Sequence, residues 1–201
     1  MDGADREPDS DDARDERRAD ARRRAIEAVV GSPLFPFESD WSLRPLGPLA
    51  DAEPPRDGED GRPCPSCTDH GRVLWSNDRW KLSSIRPSAN PVGLFLETVD
   101  HVDFEDLDSV MASEFGQLCW HLERAISAIE SVGRVHIHRW GDGSSHFHVW
   151  FQGRPARRPE LVGWGNVLWS QLLPPLPADE VDENHRRVVA DLVTAVGGWP
   201  N

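Results

Sequence analysis

Four of the chain's eight histidines fall in one short stretch, "VHIHRWGDGSSHFHVWF", from Val135 to Phe151. His136 and His138 stand two apart, as do His146 and His148. A strand repeats its facing every two residues, so each pair shares a strand face. The intervening "RWGDGSS" has the Gly-Asp-Gly chemistry of a turn. Two antiparallel strands turning imidazoles to one side can bind a metal, move a proton or attack phosphorus. Two adjacent inward imidazoles are costly to bury unless each has a hydrogen-bond partner, which weighs against a purely structural pair.

Glycines beside a histidine strand bring backbone N–H groups close, and Ser144 and Ser145 add hydroxyls. Gly143, Ser144 and Ser145 are therefore candidate phosphate ligands that need no lysine. His146 or His148 would then attack phosphorus or carry a proton. His136 and His138 fall outside that chemistry, as a rim contact and a surface residue, and His121 and His185 read as solvated. "G-D-G-S-S-H" is not the G-x-S-x-G elbow of a serine hydrolase.

"C-P-S-C", with Cys64 and Cys67, is the second reactive feature. It reads as half of a zinc site, as two ordinary loop cysteines, or as a redox pair. The flanking Pro and Gly disfavour the redox pair, which needs a strand before it and a helix after. A structural zinc wants two further ligands, and His70, His101 and His146 are the candidates.

These residues need a frame. "RVLWS" and "RWKLSSI" are strand-like runs joined by "ND", and "GLFLETV" is a third. "DHVDFEDLDSV" leads into a helical stretch reaching Val132, with Phe115, Leu118, Leu122, Ile126 and Ile129 on one face and Gly133 as the stop. The histidine hairpin supplies strands four and five. Two further helices follow, split by a proline cluster. The order β-β-β-α-β-β with a helical C-terminal extension predicts an α+β domain on an antiparallel sheet. Residues 1–62 read as a charged arm, helical or disordered, plus a Pro/Gly-rich linker. Within it Phe35, Phe37 and Trp41 could dock on the domain. Residues 63–155 form the domain and 156–201 the extension.

A net charge of −13 argues against a general nucleic-acid binder. No apolar run approaches the ~20 residues of a membrane span, and the arm is no secretory signal. Three cysteines fit a reducing cytoplasm better than a disulfide framework.

In order and spacing these features resemble the histidine triad (HIT) family, whose signature is His-φ-His-φ-His-φ-φ, with φ apolar, on the last strand of such a domain. Here the run is His146-Phe147-His148-Val149-Trp150-Phe151-Gln152, so Trp150 stands at the third histidine. "GLFLETVDHVDFEDL" matches the segment that places His101, and "CPSC" matches the Cys-x-x-Cys of zinc-bearing bacterial members. The chain looks most like divergent actinobacterial-type members with His-x-His-x-Trp. The resemblance covers roughly Cys64 to Pro155. It implies a half-barrel, often a homodimer, and one structural zinc on Cys64, Cys67, His101 and His146. It implies His148 as nucleophile toward the α-phosphate of a nucleotide or nucleotide conjugate, making the chain a nucleotide hydrolase or nucleotidyltransferase. The rival expectation is a catalytically silent, zinc-stabilised ligand-binding or scaffold protein, with Trp150 closing the pocket or stacking a base.

Overall fold

The computed structural model describes residues 11–37, 44–68, 71–85 and 87–201. Among the described residues, six antiparallel strands form one sheet in the order β4-β5-β3-β2-β1-β6. They are β1 Arg72–Ser76, β2 Trp80–Ser84, β3 Val92–Thr98, β4 Val132–His138, β5 His148–Pro155 and β6 Trp199–Pro200. The helices are α1 Asp11–Val30, α2 Pro65–Thr68, α3 Ser109–Ser127, α4 Gly165–Leu172 and α5 Ala178–Val196. The expected β-β-β-α-β-β order is present, with its helical extension.

Local chemistry explains the main turns. The Asn77 side chain accepts from the Arg79 and Trp80 amides, closing the β1–β2 hairpin. Asp108 caps α3 by accepting from the Val110 and Met111 amides. α3 buries Leu118, Leu122 and Ile126 against Leu94, Leu96, Val149 and Phe151 of the sheet. α5 adds Val188 and Leu192 to the same core. The alternate strand positions, including Phe95, His148 and Trp150, face the other way.

Several expectations change. α3 ends at Ser127, and Val132 and Gly133 belong to β4, where pairing with β5 supersedes the helical spacing. His185 is buried, not solvated: its Nε2 accepts from the Gly93 amide at 3.3 Å, an anchor between α5 and β3. His121 is half-buried beside Trp120. The charged arm is helical over Asp11–Val30.

The segment after α1 makes contacts as well. Leu34 O accepts from the Trp169 indole at 3.0 Å, and Phe35 and Phe37 meet edge to face. Trp41 and His70 lie outside the described residues. Further on, Arg56–Glu59, within the segment read as linker, hydrogen-bonds the loop before β5. β6 adds a strand beyond the expected five. The Trp75 indole donates to Gly197 O at 2.8 Å and brings the C-terminus beside β1.

Candidate metal centre and adjoining histidine

One end of the sheet gathers the residues that the motifs singled out. α2 is one turn, with Cys67 N donating to Cys64 O at 3.1 Å, and it turns both thiols to one side. His101 follows β3, and His146 stands just before β5. Cys64, Cys67, His101 and His146 each bring one ligand atom, all within 4.8 Å of one another. Both imidazoles present Nδ1. Cys64 Sγ and Cys67 Sγ each lie 3.4 Å from His146 Nδ1, and Cys67 Sγ lies 3.4 Å from His101 Nδ1. A tetrahedral ion with bonds of about 2.0–2.3 Å separates its ligand atoms by roughly 3.5 Å. The four residues can therefore hold a single metal ion.

The outer contacts suit that role. His146 Nε2 lies 2.9 Å from Thr98 O; as that nitrogen must donate, Nδ1 keeps a lone pair toward the thiols. His101 Nε2 lies 3.3 Å from Ser145 Oγ, whose one hydrogen is donated to Asp57 O, so Nε2 donates and Nδ1 keeps its lone pair. Burial lowers the His146 pKa and favours the neutral, ligating form. Burial, then the Cys64 thiol, pushes the Cys67 thiol up, so loading an ion would release protons. Two of the donors are buried, Cys64 and His146, while Cys67 and His101 are exposed.

His148 is half-buried on β5, outside the cluster. Its Nδ1 lies 2.8 Å from His146 O, so Nδ1–H donates, and in that tautomer the lone pair is on Nε2. The ring rests on Phe95, with centroids 5.3 Å apart. Trp150 packs on the same Phe95 at 4.0 Å and stacks on His138 at 5.9 Å and 6°. His138 thus joins the aromatic surface beside His148.

The candidate phosphate ligands separate. Gly143 is exposed. Ser144 Oγ accepts from the His146 amide at 3.1 Å, and Ser145 is buried with its hydroxyl between Asp57 O and His101. Both hydroxyls have partners within the chain, and the Ser145 amide donates to Asp57 O.

Sequence reasoning missed Arg56, Gly58, Thr98 and Asp103. Thr98 contributes a backbone carbonyl, which leaves no mark in a sequence. Asp103 joins Arg56 at 2.7 Å and Arg139 at 2.6 Å. Burial alone would raise the Asp103 pKa, but the Phe104 amide and Arg56 bring it below the usual carboxylate range. An Arg three residues before a Glu, around a glycine, was the available signal in "RDGE". A cleft of about 1100 Å³ lies elsewhere: Pro91, Ile129, Pro155, Arg157, Trp169 and Leu176 line it, and no metal-cluster residue does.

No protein-family profile and no curated protein matches the chain. Among solved structures, it is similar in fold to histidine triad proteins. One is a histidine triad protein from Bradyrhizobium japonicum, at 21% identity over 59% of this chain and 88% of that one, with a TM-score of 0.49. Another is a zinc-bound histidine triad family protein from Mycobacterium smegmatis, at 15% identity over 61% and 84%, with a TM-score of 0.40. A third is a hypothetical histidine triad nucleotide-binding protein from Sulfolobus tokodaii, at 8% identity over 68% and 97%, with a TM-score of 0.47.

Proposed function

We propose that the chain is a zinc-stabilised, HIT-like nucleotidyl hydrolase or transferase whose nucleophile is His148. The observation that carries the reading is the His148–His146 contact. A carbonyl holds Nδ1–H of His148 at 2.8 Å, which fixes the tautomer and leaves Nε2 able to attack. The same His146 presents Nδ1 to two thiols, so its other duty is structural.

In this reading Nε2 of His148 attacks the α-phosphorus of a nucleotide conjugate. An N–P bond forms, and the bond to the leaving group breaks with its electron pair. Water or an acceptor hydroxyl then attacks phosphorus and gives its proton to solvent, the N–P bond breaks with its electron pair returning to Nε2, and the imidazole is restored. Exposed Gly143 would offer backbone to the phosphate, and Trp150 would bound the leaving-group side. Two thiols and two imidazoles suit Zn²⁺, which would supply folding stability and no reacting atom. Three cysteines without a disulfide suit a reducing cytoplasm. Among the described residues no helix is long and apolar enough to cross a membrane. A homodimer belongs to the reading too, since β4 is an edge strand with Ile137 exposed.

A second reading is a ligand-binding protein without turnover. It is favoured by Trp150 packing on Phe95 and stacking on His138, and by the internal partners of both serine hydroxyls. Turnover assays on nucleoside phosphoramidates, dinucleoside polyphosphates and nucleotide sugars decide between them. Turnover lost in His148→Ala supports the first. Calorimetric binding of a nucleoside monophosphate without any turnover supports the second.

A further inference from the structure

The short segment Arg56–Glu59 lies over the exposed side of the metal centre. Its backbone joins the loop before β5 on both sides. Asp57 N donates to Gly143 O at 3.0 Å, and Ser145 N donates to Asp57 O at 3.0 Å. Arg56 fixes the near end, pairing with Glu59 at 2.6 Å and Asp103 at 2.7 Å and donating to Gly141 O at 3.2 Å. Between them Gly58 adopts φ +94, a left-handed conformation that L side chains rarely adopt. A Cβ there would sit 2.6 Å from His101 Cε1 and 2.6 Å from Ser145 Oγ. Only a glycine lets the backbone come this close to the ring.

We propose that this strap is a positioning element of the metal centre, holding His101 in its ligating orientation through Ser145 and the backbone of Gly58. The proposal rests on the metal reading above. For His101 to offer its Nδ1 lone pair toward Cys67, Nε2 must carry the proton and donate to Ser145 Oγ. That hydroxyl has one hydrogen, which it donates to Asp57 O at 3.2 Å. The chain of donors therefore ends on the strap's own carbonyl. His146 needs no such device, because it is fully buried and bonded to Thr98 O. The strap serves the half of the centre that the core does not enclose.

The test uses the full-length chain and its Gly58→Ala and Ser145→Ala variants, each stripped and reloaded with Zn²⁺ or Co²⁺. Zn²⁺ affinity is read by competition with a chromophoric chelator. Co²⁺ coordination is read from its visible d–d absorption, which is strong for a tetrahedral ion and weak once water expands the shell. Near-UV circular dichroism from buried Trp75 and Trp80 checks the fold. Both variants should bind Zn²⁺ about 10- to 100-fold more weakly and lose tetrahedral Co²⁺ absorption with the tryptophan signal intact. If Gly58→Ala does not fold, Ser145→Ala decides alone. A wild type that binds one equivalent, with variants of equal affinity and spectrum, overturns the strap proposal and leaves the metal reading standing. A wild type that binds no metal overturns the metal reading, and the strap proposal with it.

Discussion

At the scale of single residues, His146 and His148 are divided by what each Nδ1 faces. His146 points Nδ1 at two thiols, while His148 points Nδ1 at a carbonyl. Their substitutions should therefore separate. His148→Ala should lower any nucleotidyl turnover by at least about 10³-fold, as expected for a nucleophile, with the melting temperature little changed. His146→Ala should lose metal and stability together. Stopped turnover assays and calorimetry on both variants check this, and activity surviving in His148→Ala would exclude the mechanism. Trp150 has a single N–H and carries no proton to a leaving group. Phosphoanhydrides, whose leaving groups depart as anions, should thus outpace phosphoramidates. Trp150→His should narrow that gap by about tenfold or more. The ratio of the two rates in wild type and variant is the measurement.

At the scale of elements, α3 depends on its cap. Asp108 accepts from two amides of the first turn. Asp108→Ala should cost about 1 kcal/mol, or roughly 2–4 °C for a domain of this size, without affecting metal content. Thermal melts beside metal analysis check it, and lost metal would mean that α3 entry and the His101 loop are coupled. The Arg56–Glu59 segment touches the metal centre through Gly58 and Asp57. A chain lacking residues 1–30 should keep its full metal complement, with the melting temperature as second readout. Metal loss on that truncation would place part of the arm within the domain.

At the scale of the whole molecule, two properties follow. Structural zinc contributes roughly 10 kcal/mol in small sites, so chelation should lower the melting temperature markedly. Less than about a tenth of an equivalent of zinc in the purified protein would exclude a filled structural site. The second property is pH dependence. Burial lowers the His185 pKa to about 4, with Asp182 acting upward and Arg72 downward. The folded state keeps this imidazole neutral where the unfolded chain protonates it. Stability is thus retained above about pH 6.5 and falls as the pH drops toward 4. The depression corresponds to on the order of 3 kcal/mol. Melting temperatures of wild type and His185→Gln, compared between neutral and acid pH, should converge as the pH falls. Parallel curves would refute this role for His185.

The sequence by itself determined the strand and helix order, because alternation in "RVLWS" and "GLFLETV" and the spacing of Leu118, Leu122 and Ile126 are local properties of the chain. It also marked the reactive residues, since thiols and imidazoles at short spacing are visible without a fold. From residue chemistry alone, three histidines remained open as partners for Cys64 and Cys67. Tertiary structure decided the rest. Sheet pairing carries His101 and His146 to the same end, across a separation no periodicity reports. Burial of His185 depends on how α5 docks, not on the charged residues around it. "RDGED" has the composition of a linker, yet its backbone closes on Ser145 and His101. Glycine φ and carbonyl contacts are set by the partner surface, and a carbonyl is the same in every residue.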